Sequence, residues 1–295
     1  MASVVKRAQA QGVWTVEKVV HFEPGDFVKD GLSHFGFRHA GRLYAIDHPG
    51  HAAGLVGDDG RLAWTVAAQP VAGDVPNVEA ALDFPMYLDL LPDGAPIVSN
   101  FGDARLWRID LGRMRADVLV DGHALGMEDM GNCVVDDGSI WVNEVRGSRV
   151  WRFDAHGHVL KTVEGFGWIY DIRLAPNGEI FVLDSGNFAL RALEPETYSV
   201  RTVAEGFASD PTARFDGPIS LALDEDGTAY VGDRFAHVVR AVDPSTGEMT
   251  AIAGEGAPLR IELPQISSMD YCAGRLYVPT DLEGDGGDLA VLRRI

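Results

Sequence analysis

Two interleaved columns of residues hold most of the chemistry this sequence can do. Seven positions before each of six recurring glycines (Gly41, Gly94, Gly138, Gly178, Gly227 and Gly274) stand His34, Tyr87, Gly131, Asp171, Ser220 and Ser267. Two positions later come Gly36, Asp89, Cys133, Arg173, Ala222 and Met269. Carboxylates, an imidazole, a phenol and a guanidinium gathered in one place are the groups of acid–base catalysis. In that reading Asp171 or Asp89 is the base, Tyr87 or His34 the acid, and Arg173 holds an anionic group, with Ser220 beside them. The plainer alternative is that these residues satisfy one another, Asp171 and Arg173 as an ion pair. Buried polar groups are costly unless used or paired.

A third column lies six positions after each glycine: Asp47, Asn100, Glu144, Asp184, Asp233 and Thr280. One polar residue per repeat at the start of a loop is what backbone capping produces, because Asp and Asn side chains bond the turn they open. The functional alternative makes Glu144, Asp184 and Asp233 ligand-binding groups, together with Glu128, Asn132 and Tyr170. Asn132, Asp171 and Glu128 would then be an oxygen-donor set for a hard divalent cation, Ca²⁺ or Mg²⁺; Zn²⁺ is the remaining candidate. Such an ion would polarise a lactone or ester carbonyl and activate water, with Asp89 or His34 as base. His48, His51 and His237 lie in loops on the same side, whereas His156 and His158 belong to the opposite one. There is no HxxxH or HExxH spacing, P-loop, dinucleotide fingerprint, nucleophile elbow or CxxC pair, so no organic cofactor is expected.

The elements that must position these columns are short strands. Residues 170–206, YDIRLAPNGEIFVLDSGNFALRALEPETYSVRTVAEG, read as four apolar-rich runs separated by PNG, SGN and EPET turns. The phrase recurs with its glycine at spacings of 40 to 53 residues. Four strands per repeat of roughly 40 to 50 residues is the pattern of propeller blades. The expectation is therefore an all-β, six-bladed β-propeller forming a single domain over residues 1–295. Blades are expected at 33–68, 85–121, 130–165, 170–206 and 218–256. The last, 266–295, has room for only three strands, so residues 13–22 should supply its outer strand and close the ring, which removes exposed edges. Residues 1–11 read as a loose tail. The first two columns, mixing small and polar residues, are assigned to the central channel, and the apolar columns between them to packing of blade against blade.

Composition narrows the partners. With 44 acidic against 25 basic residues the formal net charge is −19, which argues against nucleic acid or an anionic membrane, since both require a basic footprint. A small-molecule substrate is expected. The opening MASVVKRAQAQGVWTVEKVV has no continuous apolar stretch of the secretory kind, and Cys133 and Cys272 fall in strands of different repeats as reduced thiols. A cytoplasmic location is the corresponding expectation.

The phrases DIRLAPNGEIFVLDSGN, SLALDEDGTAYVGDRFAHVVRAVD and NCVVDDGSIWVNEVRGSRVWRFD resemble NHL-repeat propellers and, more broadly, the gluconolactonase/senescence-marker-protein superfamily. The likeness runs from about residue 85 to 256. It implies a six-bladed propeller and, for the lactonase branch, a divalent cation held in the channel by a Glu, Asn residues and an Asp. Asn132 and Asp171 are the nearest matches. Leu32, Ser33, His34 and Phe35 stand where that branch carries a Glu-Gly-Pro phrase, so its Glu has no counterpart. Similar propellers carry out metal-free elimination or condensation with a channel carboxylate, and others are protein-binding scaffolds. The leading expectation is a lactonase- or esterase-like hydrolase using a cation. A metal-free lyase or cyclase and an NHL-type scaffold with a protein partner are the alternatives.

Overall fold

The structure is a computed structural model and describes residues 14–21, 34–38, 42–56, 62–70, 74–206, 214–263, 266, 268–279 and 288–294. The tail expected at residues 1–11 lies outside the described residues. The chain opens with strand β1 (Trp14–His21) and passes through β2 (His34–Arg38), β3 (Arg42–Asp47), β4 (Ala52–Val56), β5 (Leu62–Ala67) and β6 (Asn77–Glu79). The second blade holds β7 (Pro85–Leu90), β8 (Pro96–Asn100), β9 (Arg105–Asp110) and β10 (Arg115–Asp121). The third holds β11 (Cys133–Asp136), β12 (Ser139–Asn143), β13 (Val150–Asp154) and β14 (Val159–Val163). The fourth holds β15 (Ile169–Leu174), β16 (Ile180–Asp184), β17 (Ala189–Leu193) and β18 (Val200–Glu205). The fifth holds β19 (Pro218–Leu223), β20 (Ala229–Asp233), β21 (Val238–Val242) and β22 (Met249–Gly254), and the chain ends in β23 (Asp270–Cys272), β24 (Arg275–Pro279) and β25 (Asp288–Arg294).

These strands form six sheets whose inner strands touch in a closed cycle, β23–β2–β7–β11–β15–β19 and back to β23. The protein is a six-bladed β-propeller. As expected, β1 pairs antiparallel with β25, so the two ends of the chain share the closing blade. Among the described residues no helix is long and apolar enough to cross a membrane.

Local sequence explains the blades. The second strands β8, β12, β16 and β20 are buried at every position, which is why they read as near-continuous apolar runs, while outer strands such as β14 are exposed along most of their length. The hairpin between first and second strand turns on the recurring glycine, at φ 81° in Gly94, 84° in Gly138, 88° in Gly178, 89° in Gly227 and 77° in Gly274. That left-handed conformation is open to glycine without steric cost. Leu88, Ile172 and Leu221 of the apolar column lie in clusters that join neighbouring blades.

The first blade departs from expectation by gaining a fifth strand. β6 runs parallel to β5, with the Thr65 hydroxyl donating to Asn77 Oδ1 at 2.8 Å and Asn77 Nδ2 to the Ala67 carbonyl at 3.2 Å. The long return from this blade thereby covers its open edge, a common remedy for unpaired strand backbone.

Closure rests on Trp14, which is 7% exposed and meets Tyr230 of the fifth blade edge-on at 5.4 Å between ring centroids. Trp14→Ala is expected to lower stability by about 3 kcal/mol or more, the usual cost of emptying a buried aromatic site. Urea denaturation measures it, and a loss within experimental error would mean that the closing strand does not hold the ring.

Candidate functional site

At the start of β15, Asp171 is 2% exposed and gathers donors from three blades. Its Oδ1 accepts from Asn132 Nδ2 at 2.5 Å and from Arg173 Nη1, and its Oδ2 accepts from the Leu221 amide at 2.8 Å. Arg173, two residues along and on the same face of the strand, donates through Nη1 to the Ile172 carbonyl at 2.9 Å and through Nη2 to the Met269 carbonyl at 3.4 Å. Its guanidinium lies 4.5 Å from the centre of the Tyr87 ring. Burial pushes the Asp171 carboxyl up to about 6, against the pull of the Arg173 charge and of the Leu221 and Asn132 hydrogen bonds.

Asp171 lies at one end of the channel, in the wall of a cavity of about 670 Å³. This end carries the starts of the inner strands and the loops between second and third strands. Inner-strand starts contribute Met86, Asn132, Tyr170, Asp171, Ile219 and Ser268, and the loops contribute His48, Phe101, Val145, Arg146 and Arg234. Glu128, Trp168 and Ile266 complete the lining. Asn132 Oδ1 and Ser268 Oγ are buried and have no hydrogen-bond partner among the described residues. Unfilled polar atoms in the wall of a cavity leave bonding capacity for a bound molecule. Asp129, 1% exposed, accepts from the Val145 amide at 2.7 Å and the Arg146 amide at 3.2 Å, which fixes the loop carrying Arg146. The Arg234 amide donates to the Gly217 carbonyl at 2.8 Å. The His48 ring meets the Pro85 carbonyl through Nδ1 at 3.1 Å, and burial lowers its pKa.

Of the residues singled out from the sequence, Asp171, Asn132, Glu128 and Tyr170 line this cavity together. Tyr87, Arg173, Asp89 and Ser220 do not. Arg173, expected to hold an anionic group, has its guanidinium engaged by Asp171 and by the Ile172 and Met269 carbonyls. Tyr87, expected as an acid, lies buried with its ring against that guanidinium and outside the cavity lining. Asp89 accepts from its neighbour Leu90 at 2.8 Å and from the Val135 amide at 2.9 Å, a tie between the second and third blades. Ser220 is fully buried beside the tie from Leu221 to Asp171. His34 falls in β2, but its side chain is outside the described residues.

The third column is structural. Glu144, Asp184 and Asp233 are 0% exposed. Glu144 accepts from the Glu128 amide, Arg149 and the Trp151 indole. Asp184 accepts from the Gly167 amide, Asn187 and Arg191. Asp233 accepts from the Asp216 and Gly217 amides and from Arg240. Each clasps the chain entering an inner strand to an arginine further along its own blade, and none of these three residues, expected as binding groups, lines the cavity. Arg146 and Arg234 escaped sequence reasoning, although both stand just after this column, at the head of loops known to face the mouth.

The same bonds decide whether a divalent cation fits. Asp171 has both oxygens engaged, one of them by a guanidinium whose positive charge would repel an added cation. Glu128 is exposed and Glu144 is saturated. Among the described residues no three His, Cys, Asp or Glu side chains group closely enough to hold a metal ion. As arranged, Asn132, Asp171 and Glu128 do not suit one.

No protein-family model matches the chain, and no curated protein matches it in sequence. Solved structures do. Virginiamycin B lyase from Staphylococcus aureus superposes with a TM-score of 0.63 at 13% identity, over 94% of this chain and 99% of that one. Luciferin-regenerating enzyme gives 0.66 at 13%, over 94% and 96%. An auxiliary nutrient binding protein from Bacteroides thetaiotaomicron gives 0.65 at 14%, over 89% and 69%. The likeness is one of fold.

The raised carboxyl has a consequence for stability. Asp171 titrates near 3.8 when unperturbed and near 6 in the folded chain. Between those values the folded state holds a proton that the unfolded state has lost. Its contribution therefore becomes more favourable as pH falls from 7 to 4, by about 3 kcal/mol in full. The difference in unfolding free energy between the protein and Asp171→Asn, followed across this range, should move in favour of the parent as pH drops. A difference independent of pH would show that Asp171 titrates normally.

Proposed function

We propose that the chain is a small-molecule enzyme whose chemistry is proton abstraction by Asp171 at the propeller mouth, in an elimination or cyclisation of the lyase or cyclase kind. The observation that carries this reading is a single buried carboxylate in the wall of a ligand-sized cavity, held in place by Asn132, Arg173 and the Leu221 amide. Concave, mostly apolar sites with a few convergent polar groups are where small molecules are processed.

The geometry gives each group a task. Asn132 and Arg173 fix Asp171 on one oxygen and the Leu221 amide fixes it on the other, so the carboxylate does not need to reorganise as it takes a proton. A carboxyl near 6 is ionised at neutral pH yet basic enough to accept a proton from an activated carbon. Arg173 supplies the counter-charge from beneath. Tyr170 and Ser268 bring hydroxyl groups to the same wall and can donate to a leaving or enolising oxygen. The cation-assisted hydrolysis favoured by the sequence lacks a fitting donor set, and no step is assigned to a metal. That one of the similar structures is a lyase by name is in keeping with elimination chemistry.

Proton exchange tests this without knowledge of the product. Small molecules with an acidic C–H beside a carbonyl are incubated with the protein in D₂O and followed by proton NMR. Exchange is expected with the parent protein, rising through pH 6 to a plateau, and reduced about a hundredfold or more in Asp171→Asn. A folded Asp171→Asn variant that exchanges as fast as the parent would remove Asp171 from the mechanism.

A further inference from the structure

Two polar atoms belonging to the cavity wall have nothing to bond. Asn132 and Ser268 are each 3% exposed, and neither Asn132 Oδ1 nor Ser268 Oγ has a hydrogen-bond partner among the described residues. Both residues line the cavity. Asn132 leads into β11 of the third blade and Ser268 into β23 of the closing blade, so they stand on opposite sides of the ring. A buried polar atom left unpaired is costly, and native proteins keep few of them. Two in the wall of one ligand-sized cavity point to a molecule that completes them.

The neighbours of each atom decide what it lacks. An ionised carboxylate only accepts hydrogen bonds, so the Asn132 amide turns Nδ2 toward Asp171 Oδ1, at 2.5 Å, and its own Oδ1 away. What Asn132 Oδ1 lacks is therefore a donor, an O–H or N–H. An anionic group placed there would meet the lone pairs of Oδ1 with the Asp171 carboxylate close behind. Ser268 has a hydroxyl hydrogen to give. The carbonyl of the next residue, Met269, accepts from Arg173 Nη2 at 3.4 Å, which ties this stretch to the Asp171 network. Much of the remaining wall is apolar, with Phe101, Val145, Ile219 and Ile266 in it. Trp168, 60% exposed, and Tyr170, 37% exposed, add ring surface on the fourth blade, just ahead of Asp171.

We propose that the cavity is built for an uncharged carbonyl compound with a flat apolar body, one that donates an O–H or N–H to Asn132 Oδ1 and accepts the Ser268 hydroxyl on its carbonyl oxygen. The body lies against Trp168 and Tyr170, and a volume of about 670 Å³ admits a small molecule rather than a protein segment. Asn132 then acts twice: Nδ2 positions the carboxylate, and Oδ1 selects the ligand. A site built to receive a hydrogen bond rejects an analogue that lacks it, because its own atom stays unpaired. This names the substrate class of the site at which Asp171 is read as the base. It rests on that reading for the place of the carbonyl, beside the C–H to be deprotonated, and not for binding.

The probes are N-methyl-3-phenylpropanamide, 1-phenylpentan-3-one (the same shape with CH₂ in place of N–H), 3-phenylpropionate and N-methylacetamide, which lacks the apolar body. Each is titrated calorimetrically. Acrylamide quenching of tryptophan fluorescence runs in parallel, because Trp14, Trp64, Trp141 and Trp151 are buried and Trp107 is half-buried, leaving Trp168 as the exposed reporter. Trp168→Phe gives the blank. The phenylpropanamide is expected to bind at least tenfold more tightly than each of the other three and to shield Trp168. Ser268→Ala removes only an unpartnered hydroxyl and should weaken amide and ketone alike, about fivefold. Asn132→Leu, checked for folding by circular dichroism, should bring the amide down to the ketone without weakening the ketone, whereas a purely structural role would weaken both. Amide and ketone binding equally to the parent, 3-phenylpropionate binding as tightly as the amide, Ser268→Ala without effect, a folded Asn132→Leu that still prefers the amide, or no binding of the amide would each overturn the proposal. Selective amide binding with no proton exchange in any carbonyl compound would sink the catalytic reading and leave this one standing. Exchange without selectivity for the amide would do the reverse.

Discussion

A carboxylate buried near the propeller axis has to be satisfied by whatever surrounds it, and the centre of this molecule is arranged around that requirement. Asp171 takes donors from the third blade through Asn132, from its own blade through Arg173 and from the fifth through the Leu221 amide. Arg173 extends the network to Met269 ahead of the closing blade and to the Tyr87 ring of the second. Removing one partner of such a buried pair strands the other, at a cost of about 3 kcal/mol or more. Five of the six blades thus meet through one ion pair.

The same chemistry, carboxylate against arginine and backbone amide, appears three more times with a different result. Glu144, Asp184 and Asp233 each have an arginine of their own blade and one or more amides of the incoming chain, with none of them lining the cavity. These clasps set where each inner strand begins. They therefore also place the residues that open the strand, Asn132, Tyr170, Asp171 and Ile219 among them. Asp171 differs by its position: it stands one strand nearer the axis, at the boundary of the ligand space, where burial raises its carboxyl toward the working range.

How much of this the sequence exposes depends on which physical variable is periodic. Strand alternation and a glycine before the second strand recur along the sequence in every blade, so the six blades, their order and the closing strand were all legible. The short strand β6 was not, because its three residues, Asn77 to Glu79, belong to the returning connection, pair in parallel with β5 and are too few to show an alternation. In the site, alternation tells which face of a strand a side chain takes but not how deep along the channel it lies. Asp171 and Arg173 share a face, yet one lines the cavity and the other supports it. Arg146 and Arg234 were hidden for a different reason: loops carry no period, and only their place after the third column points to the mouth.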